Sequence, residues 1–343
     1  MKQASLRGVV DGYSSYSLHL FRVTEGLRKL GRYTTIYPIT AELGKGPIPK
    51  SIQESIVNQE QMQDWQMVIH CPTYAAHEQS SKRTVYNTMW ETSRLNKQCV
   101  INLNMADLVI VPSAFNQVCF NAQGVKTKIA KVPMGIDSDL FNYTPHVEKD
   151  FYLFGTAGRT IAGGCRKGLP EVVEAWKKAF PKKRKDVRLV VKCHPDDPRI
   201  EVDDDRIQFI RAFWTRKQLA NWYANIDCFV SASKGEGWGL HQHEAMAVGR
   251  SVIAVNYGGI SEFFDDSVGY PVDYDLEESS NHYSNGGLWA VARKDSLVDR
   301  MREVYSARRS EKDFKASERG MNLNWNHSNK ILDDTLQKAG FYN

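Results

Sequence analysis

Short apolar runs and amphipathic stretches alternate along this chain, and the alternation starts twice. In the first half, residues 6–10, 66–70, 107–111 and 129–132 read as strands. Residues 16–30 read as a helix ending at Gly31, and Ser113 can cap a helix behind the third strand. A polar stretch, 142–150, separates this from a second series with strands at 151–155, 187–192, 207–210, 227–231, 251–255 and 268–272. There, 168–180 reads as a helix stopped by Pro181, residues 215–218 form a capping box opening a helix to Ala224, and the chain from Asp295 onward is mostly helical. Strands that alternate with helices lie parallel, with helices on both faces. A length of 343 residues suits two domains of this kind. The expected fold class is therefore α/β, with two Rossmann-like doubly wound parallel-sheet domains. Their strand C-termini face a central cleft, because open parallel sheets bind ligands beyond those ends.

Bulk chemistry narrows the class. Lys and Arg total 45 and Asp and Glu 40, a net charge of +5 that permits a polyanionic partner without demanding one. Six cysteines stand at 71, 99, 119, 165, 193 and 228, none in a C-x-x-C pair, which argues against a zinc ribbon or a thioredoxin-type site and for a reducing compartment. The start MKQASLRGVV lacks a signal-peptide apolar region, and no apolar run approaches the ~20 residues that span a bilayer. The expected location is cytoplasmic, with peripheral contact at the inner membrane face left open.

The segment 234–264, KGEGWGLHQHEAMAVGRSVIAVNYGGISEFF, carries the densest chemistry. It reads as a glycine-rich turn after a strand, a helix, a further strand and a second glycine turn. Gly235, Gly237 and Gly239 let backbone approach a ligand closely. The helix from about Leu240 points its first N–H groups at such a ligand, which makes an anion site. Glu236 precedes that helix and Glu244 lies about one turn inside it. Both suit hydroxyl binding, since a carboxylate accepts from adjacent OH groups. The segment 154–176, FGTAGRTIAGGCRKGLPEVVEAW, is a strand, loop and helix in which Arg159, Arg166 and Lys167 offer positive charge.

The first of these segments closely resembles the E-x(7)-E signature of retaining glycosyltransferases of the two-domain GT-B fold, in the large family-four type known as glycosyl transferases group 1. The match runs through GEGWGL, EAMA, VIA and GGISE. The resemblance implies that Glu244 binds the nucleotide ribose, that Glu236 contacts the transferred sugar, and that backbone N–H groups at Gly239 and Leu240 meet sugar or phosphate. Segment 154–176 resembles the family's phosphate loop, which implies that Arg159 and Lys167 neutralise the donor diphosphate, with Arg166 as the alternative to Lys167. The first half resembles the family more loosely. VVDGYSSYSLHL, 9–20, stands at the first glycine turn and puts Gly12 near phosphate or acceptor; YNTMWETSRL, 86–95, puts Glu91 near the acceptor; QMVIH puts His70 near the sugar. VPMGIDSDLF, 132–141, resembles the domain junction, and WNHSNKILDDTLQKAG the closing helix. The implied domains are 1–148 on the acceptor side, 149–320 for the nucleotide sugar, and a terminal helix, 321–343, crossing back to the first.

The expected reaction is retaining transfer of a hexose or related sugar from a nucleoside-diphosphate sugar, UDP- or GDP-linked, to a hydroxyl of a glycan or lipid-linked sugar. Arg159 and Lys167 supply the charge, so no metal or other cofactor is expected. His241 and His243 diverge on a helix, and Asp203–Asp205 in EVDDDR reads as a solvated loop rather than a metal-binding D-x-D. Two alternatives stand beside this reading. The basic runs 182–185 and 308–309 would suit a viral enzyme that glycosylates hydroxymethylated bases in DNA. A non-catalytic nucleotide-sugar-binding protein would account for His241 and for the altered first glycine turn.

Overall fold

The structure is a computed structural model that describes residues 4–39, 46–57, 63–75, 81–160, 166–198, 201–280 and 286–342. The glycine-rich part of the 154–176 loop, 161–165, and with it Cys165, lies outside the described residues.

Contacts divide the chain into two compact units. One comprises Met1–Trp90, Arg94–Gly135 and Leu323–Asn343; the other comprises Glu91–Ser93 and Ile136–Asn322. The first unit contains β1 (Ala4–Gly8), α1 (Ser15–Lys29), β2 (Thr34–Pro38), α2 (Lys50–Gln53), β3 (Trp65–Ile69), β4 (Thr84–Asn87), α3 (Lys97–Asn104), β5 (Leu108–Val111), α4 (Ala114–Ala122) and β6 (Ile129–Lys131). The second contains β7 (Tyr152–Ala157), α5 (Leu169–Ala179), β8 (Val187–Cys193), β9 (Ile207–Arg211), α6 (Arg216–Asn225), β10 (Cys228–Ser231), α7 (Leu240–Ala247), β11 (Ser251–Val255), β12 (Tyr270–Val272), β13 (Tyr274–Glu278), β14 (Leu288–Ala292), α8 (Lys294–Ala307) and α9 (Glu311–Asn322). The last helix, α10 (Trp325–Lys338), returns to the first unit and packs on α1. Each unit is a six-stranded parallel sheet, ordered β2-β1-β3-β4-β5-β6 in the first and β12-β11-β10-β7-β8-β9 in the second. These are two Rossmann-like domains.

The central strands are buried on both faces, which is why they read as largely apolar runs. WQMVI, LVIV and CFVS are buried at every position. The helices contribute one face each. In α5, Leu169, Val172, Val173 and Trp176 are buried against the second sheet, each such side chain contributing roughly 1.5–3 kcal/mol. Local start signals read from the chain are present. Ser113 accepts from the Asn116 N–H at 3.2 Å, and Thr215 forms a full capping box, its hydroxyl accepting from the Gln218 N–H while the Gln218 side chain accepts from the Thr215 N–H at 2.9 Å. Thr215→Ala is expected to cost about 1 kcal/mol, and Thr215→Ser much less; urea denaturation of both variants checks it.

Six elements escaped the sequence reading: β2, α2, β4, α3 and the two strands of the antiparallel hairpin β13–β14. The hairpin strand YDLEE is acidic and weakly β-forming, and its pairing with Leu288–Ala292 supplies what propensity does not. The segment 136–150 packs on the second unit rather than serving as a loose linker. Phe141 lies edge-on to Tyr223, and Lys149 pairs with Asp227 at 2.9 Å.

The EVDDDR segment requires a correction. Asp203 and Asp205 are exposed, but Asp204 is buried and grips Arg206 with both oxygens, because Arg206 runs inward beneath the end of α5.

Candidate active site

A doubly wound sheet opens a crevice where two neighbouring strands send their connections to opposite faces. In the second sheet that point lies between β7 and β10, and in the first between β1 and β3. The loop after β7 carries Arg159, Arg166 and Lys167; the loop after β10 carries Glu236 and leads into α7. These two loops are tied together by backbone. The Lys234 N–H donates to the Arg166 carbonyl at 2.8 Å, and the Ala290 N–H of β14 donates to the Lys234 carbonyl at 2.7 Å.

That stapling brings opposite charges into contact. The Lys167 Nζ donates to both oxygens of Glu236, at 2.6 and 2.9 Å. Arg166 Nη1 lies 3.6 Å from Glu236, Arg166 Nη2 lies 3.7 Å from Glu91, and Arg166 also donates to the Gly235 carbonyl. Two cations thus face two carboxylates, all four side chains largely buried. Burial pushes the Glu236 carboxyl up, but the Lys167 ammonium and the Arg166 guanidinium outweigh it and hold the group at about 2. Lys167 is lowered by the same burial, with Glu236 opposing. Both Arg166 and Lys167, alternatives in the sequence, reach Glu236.

Helix α7 begins at Gly239, whose φ of 100° is left-handed and suits glycine, and no side chain caps it. The first-turn amides, starting at Leu240, follow with no acidic residue among them, so the positive end of the helix dipole is left uncompensated within its own turn. The bare Cα of Gly235 has a different cause. A Cβ there would come within 2.0 Å of the Glu91 carbonyl, so this glycine admits the chain itself rather than a ligand.

Glu244, inside α7, is 1% exposed. Its Oε1 accepts from Arg216 Nη2 at 2.6 Å, and Arg216 Nε lies 3.5 Å from Asp137. Burial raises the Glu244 carboxyl, and Arg216 opposes the rise. Arg159 is partly exposed, with Nε 3.4 Å from Asp197. Asp197 is buried and accepts from the Thr160 and His194 N–H groups, at 2.9 and 3.2 Å, which holds the Arg159 turn. Sequence reasoning missed Arg216, Asp137 and Asp197, whose roles depend on contacts far apart in the chain.

The two α7 histidines turn away from each other. Trp238 donates to His243 Nδ1 at 3.1 Å, so His243 Nε2 carries the proton given to the Gly320 carbonyl at 2.9 Å. His241 Nδ1 meets the Tyr223 hydroxyl at 2.7 Å. Burial lowers both rings, to about 4 and about 3 respectively, so both are neutral at physiological pH.

In the first unit, Gly12 follows β1 and His70 follows β3, at that sheet's own switch point. The Gly12 N–H donates to Ser17 Oγ at 3.1 Å, and a Cβ on Gly12 would lie 2.6 Å from Gly46. Its missing side chain accommodates the neighbouring loop. His70 is stacked on Tyr16 with ring centroids 5.3 Å apart, and burial lowers its ring. Gly12 and His70 belong to the first unit, whereas Glu91 packs with the second.

Residues 152–304 match the family model described as Glycosyl transferases group 1. A lipopolysaccharide core biosynthesis mannosyltransferase, LpsB of Rhizobium meliloti (strain 1021), is 40% identical over 58 residues, which are 17% of this chain and only 16% of that protein. Sucrose-phosphate synthase from Thermosynechococcus elongatus superposes with a TM-score of 0.73 at 15% identity, covering 98% of this chain and 99% of that one. Anabaena Alr3699/HepE in complex with UDP-glucose gives 0.73 at 14% identity, covering 98% and 100%. Among the described residues no helix is long and apolar enough to cross a membrane. With residues 152–304 matching the group 1 model and both units built as Rossmann-like parallel sheets, the chain has the GT-B fold and carries in its second unit a domain similar to glycosyl transferases group 1.

Proposed function

We propose that the enzyme transfers a sugar from a UDP- or GDP-sugar to a hydroxyl of a glycan or lipid-linked acceptor, with retention at the anomeric carbon and no bound metal. The observation that carries this reading is the Lys167–Glu236–Arg166 cluster at the β7/β10 switch point, directly before the uncapped start of α7. A donor diphosphate there meets Lys167, Arg159 and the Gly239–Leu240 amides, which would stabilise the charge growing on the leaving group. Glu244 takes the ribose hydroxyls. Glu236, held at about 2, is fully ionised and a weak base. That suits a carboxylate accepting sugar hydroxyls and orienting Lys167, and makes it a poor acid or nucleophile. The UDP-glucose held by the HepE structure supports a uridine donor.

DNA finds less support. Lys182 pairs with Asp203, Lys185 with Asp205, and both Arg184 and Arg308 with Asp186, so the basic runs are largely compensated by neighbouring carboxylates. Transfer to a glycan or lipid-linked hydroxyl is the reading retained.

The test is thermal unfolding with UDP-, GDP-, ADP- and TDP-sugars, on wild type beside Glu244→Ala and Arg159→Ala. One donor is expected to stabilise wild type by about 2.7 kcal/mol at a hundredfold excess over Kd, and neither variant to the same degree. Indifference of wild type to every donor would refute the site.

A further inference from the structure

We infer that Arg216 is the positioning residue for the donor site: it fixes Glu244 so that one carboxylate oxygen faces the nucleotide ribose. The inference rests on the reading of Glu244 as the ribose ligand and adds the group that makes it competent.

Arg216 is the first residue of α6, directly after the capping box at Thr215, so its backbone is anchored. Its guanidinium lies over the Phe141 ring at 4.6 Å, with Nη2 on Glu244 Oε1 at 2.6 Å and Nε 3.5 Å from Asp137 Oδ2. Glu244 is therefore held by one oxygen, while its Oε2, buried, has no hydrogen-bond partner among the described residues. A buried carboxylate oxygen without a donor is costly unless something supplies one, and a ribose hydroxyl is such a donor.

The surroundings make Arg216 indispensable. Facing Glu244 are Arg216 and Tyr223 from α6, Asp137 from the segment before β7, and His241 from its own helix, with His241 Nδ1 4.0 Å from Oε2. From α9, the Gly320 carbonyl accepts from His243 of α7. His241 is neutral and Tyr223 is held protonated by burial. One cation therefore serves two carboxylates. Without it, Glu244 would sit buried beside Asp137 and take up a proton, and its charge-assisted bonds to the ribose would be lost.

The experiment measures calorimetric binding of UDP and GDP to the full chain from pH 7 to 9. Wild type, Arg216→Met, Arg216→Lys and Glu244→Gln are compared as ratios to wild type, which cancels the titration of the nucleotide. Arg216→Met is expected to bind the better nucleotide about tenfold or more weakly at pH 7 and to recover toward wild type by pH 9, one pH unit of carboxyl titration being tenfold. Arg216→Lys keeps the charge and is expected to stay within roughly threefold of wild type at every pH. Glu244→Gln is expected to be weak and flat with pH. A merely structural Arg216 would give weakening that does not respond to pH in the methionine variant, or an equal loss in the lysine variant; either overturns the inference. The lysine variant decides the matter if the methionine variant does not fold. Binding unaffected by Glu244→Gln removes the ribose reading, and with it this inference.

Discussion

Glu236→Gln is expected to reduce kcat for sugar transfer by about a hundredfold or more while nucleotide Kd does not rise. The glutamine keeps the volume of the side chain but removes its charge. Lys167, which donates to both Glu236 oxygens, then loses its carboxylate, as does Arg166 Nη1 at 3.6 Å. Two cations formerly balanced by Glu236 are left to a diphosphate, so binding of the nucleotide holds or tightens. The sugar fares differently, because the carboxylate that would accept its hydroxyls and orient Lys167 is gone. This split separates a role at the sugar from general damage to the site, which would weaken binding and turnover together. Steady-state kinetics and nucleotide titration on the same preparation check it. Unchanged kcat, or a Kd that rises in step with the loss of kcat, would rule out the assigned role.

The residues at this centre were legible in the chain to different degrees, for physical reasons. Glu236 and Glu244 stand out because a glycine-rich turn after a fully buried strand and before a helix is a local pattern, and local patterns survive in sequence. The same holds for Ser113 and Thr215, whose partners lie three residues away. What could not be read depends on where distant elements meet. Arg216 lies 28 residues before Glu244, and nothing in the capping box that starts α6 says which face of α7 its first side chain will reach. Gly12 was legible as a glycine turn, but its neighbour Gly46 and its donation to Ser17 were not. The β13–β14 hairpin was invisible for a related reason. Its acidic strand has no preference of its own, and its backbone finds partners in β14, which in turn hydrogen-bonds through Ala290 to the Lys234 carbonyl beside Glu236.

The acidic run EVDDDR misled for a reason that a second variant can expose. Three consecutive aspartates look solvated, yet the middle one is withdrawn with Arg206, their side chains 1% and 4% exposed. Arg206 donates to Asp204 through Nε at 2.9 Å and Nη2 at 2.7 Å, to the Phe180 carbonyl at 2.9 Å, and to the Pro181 and Arg184 carbonyls at 3.0 and 2.6 Å, with its plane over Trp176. One side chain thereby satisfies the end of α5 and joins it to the start of β9. Arg206→Met retains the aliphatic stem and the backbone N–H that Asp204 accepts, but leaves that buried carboxylate without its cation and the Phe180 and Arg184 carbonyls without this donor, and is expected to lose roughly 3–5 kcal/mol at pH 7. The hydrogen bonds from Arg206 hold the Asp204 carboxyl below its usual range despite burial. A depressed carboxyl contributes its stability above its ordinary pKa and loses it as pH falls through the folded value. In the methionine variant Asp204, buried without its cation, is pushed the other way and protonates more readily. The difference in stability between wild type and variant is therefore expected to narrow as pH falls from 7 toward 4. Asp204→Asn in the Arg206→Met background is expected to recover part of the loss at pH 7, because it removes the charge left without a partner. Urea denaturation at both pH values distinguishes this from a simple packing defect, which would cost the same at each pH and would not be relieved by the asparagine.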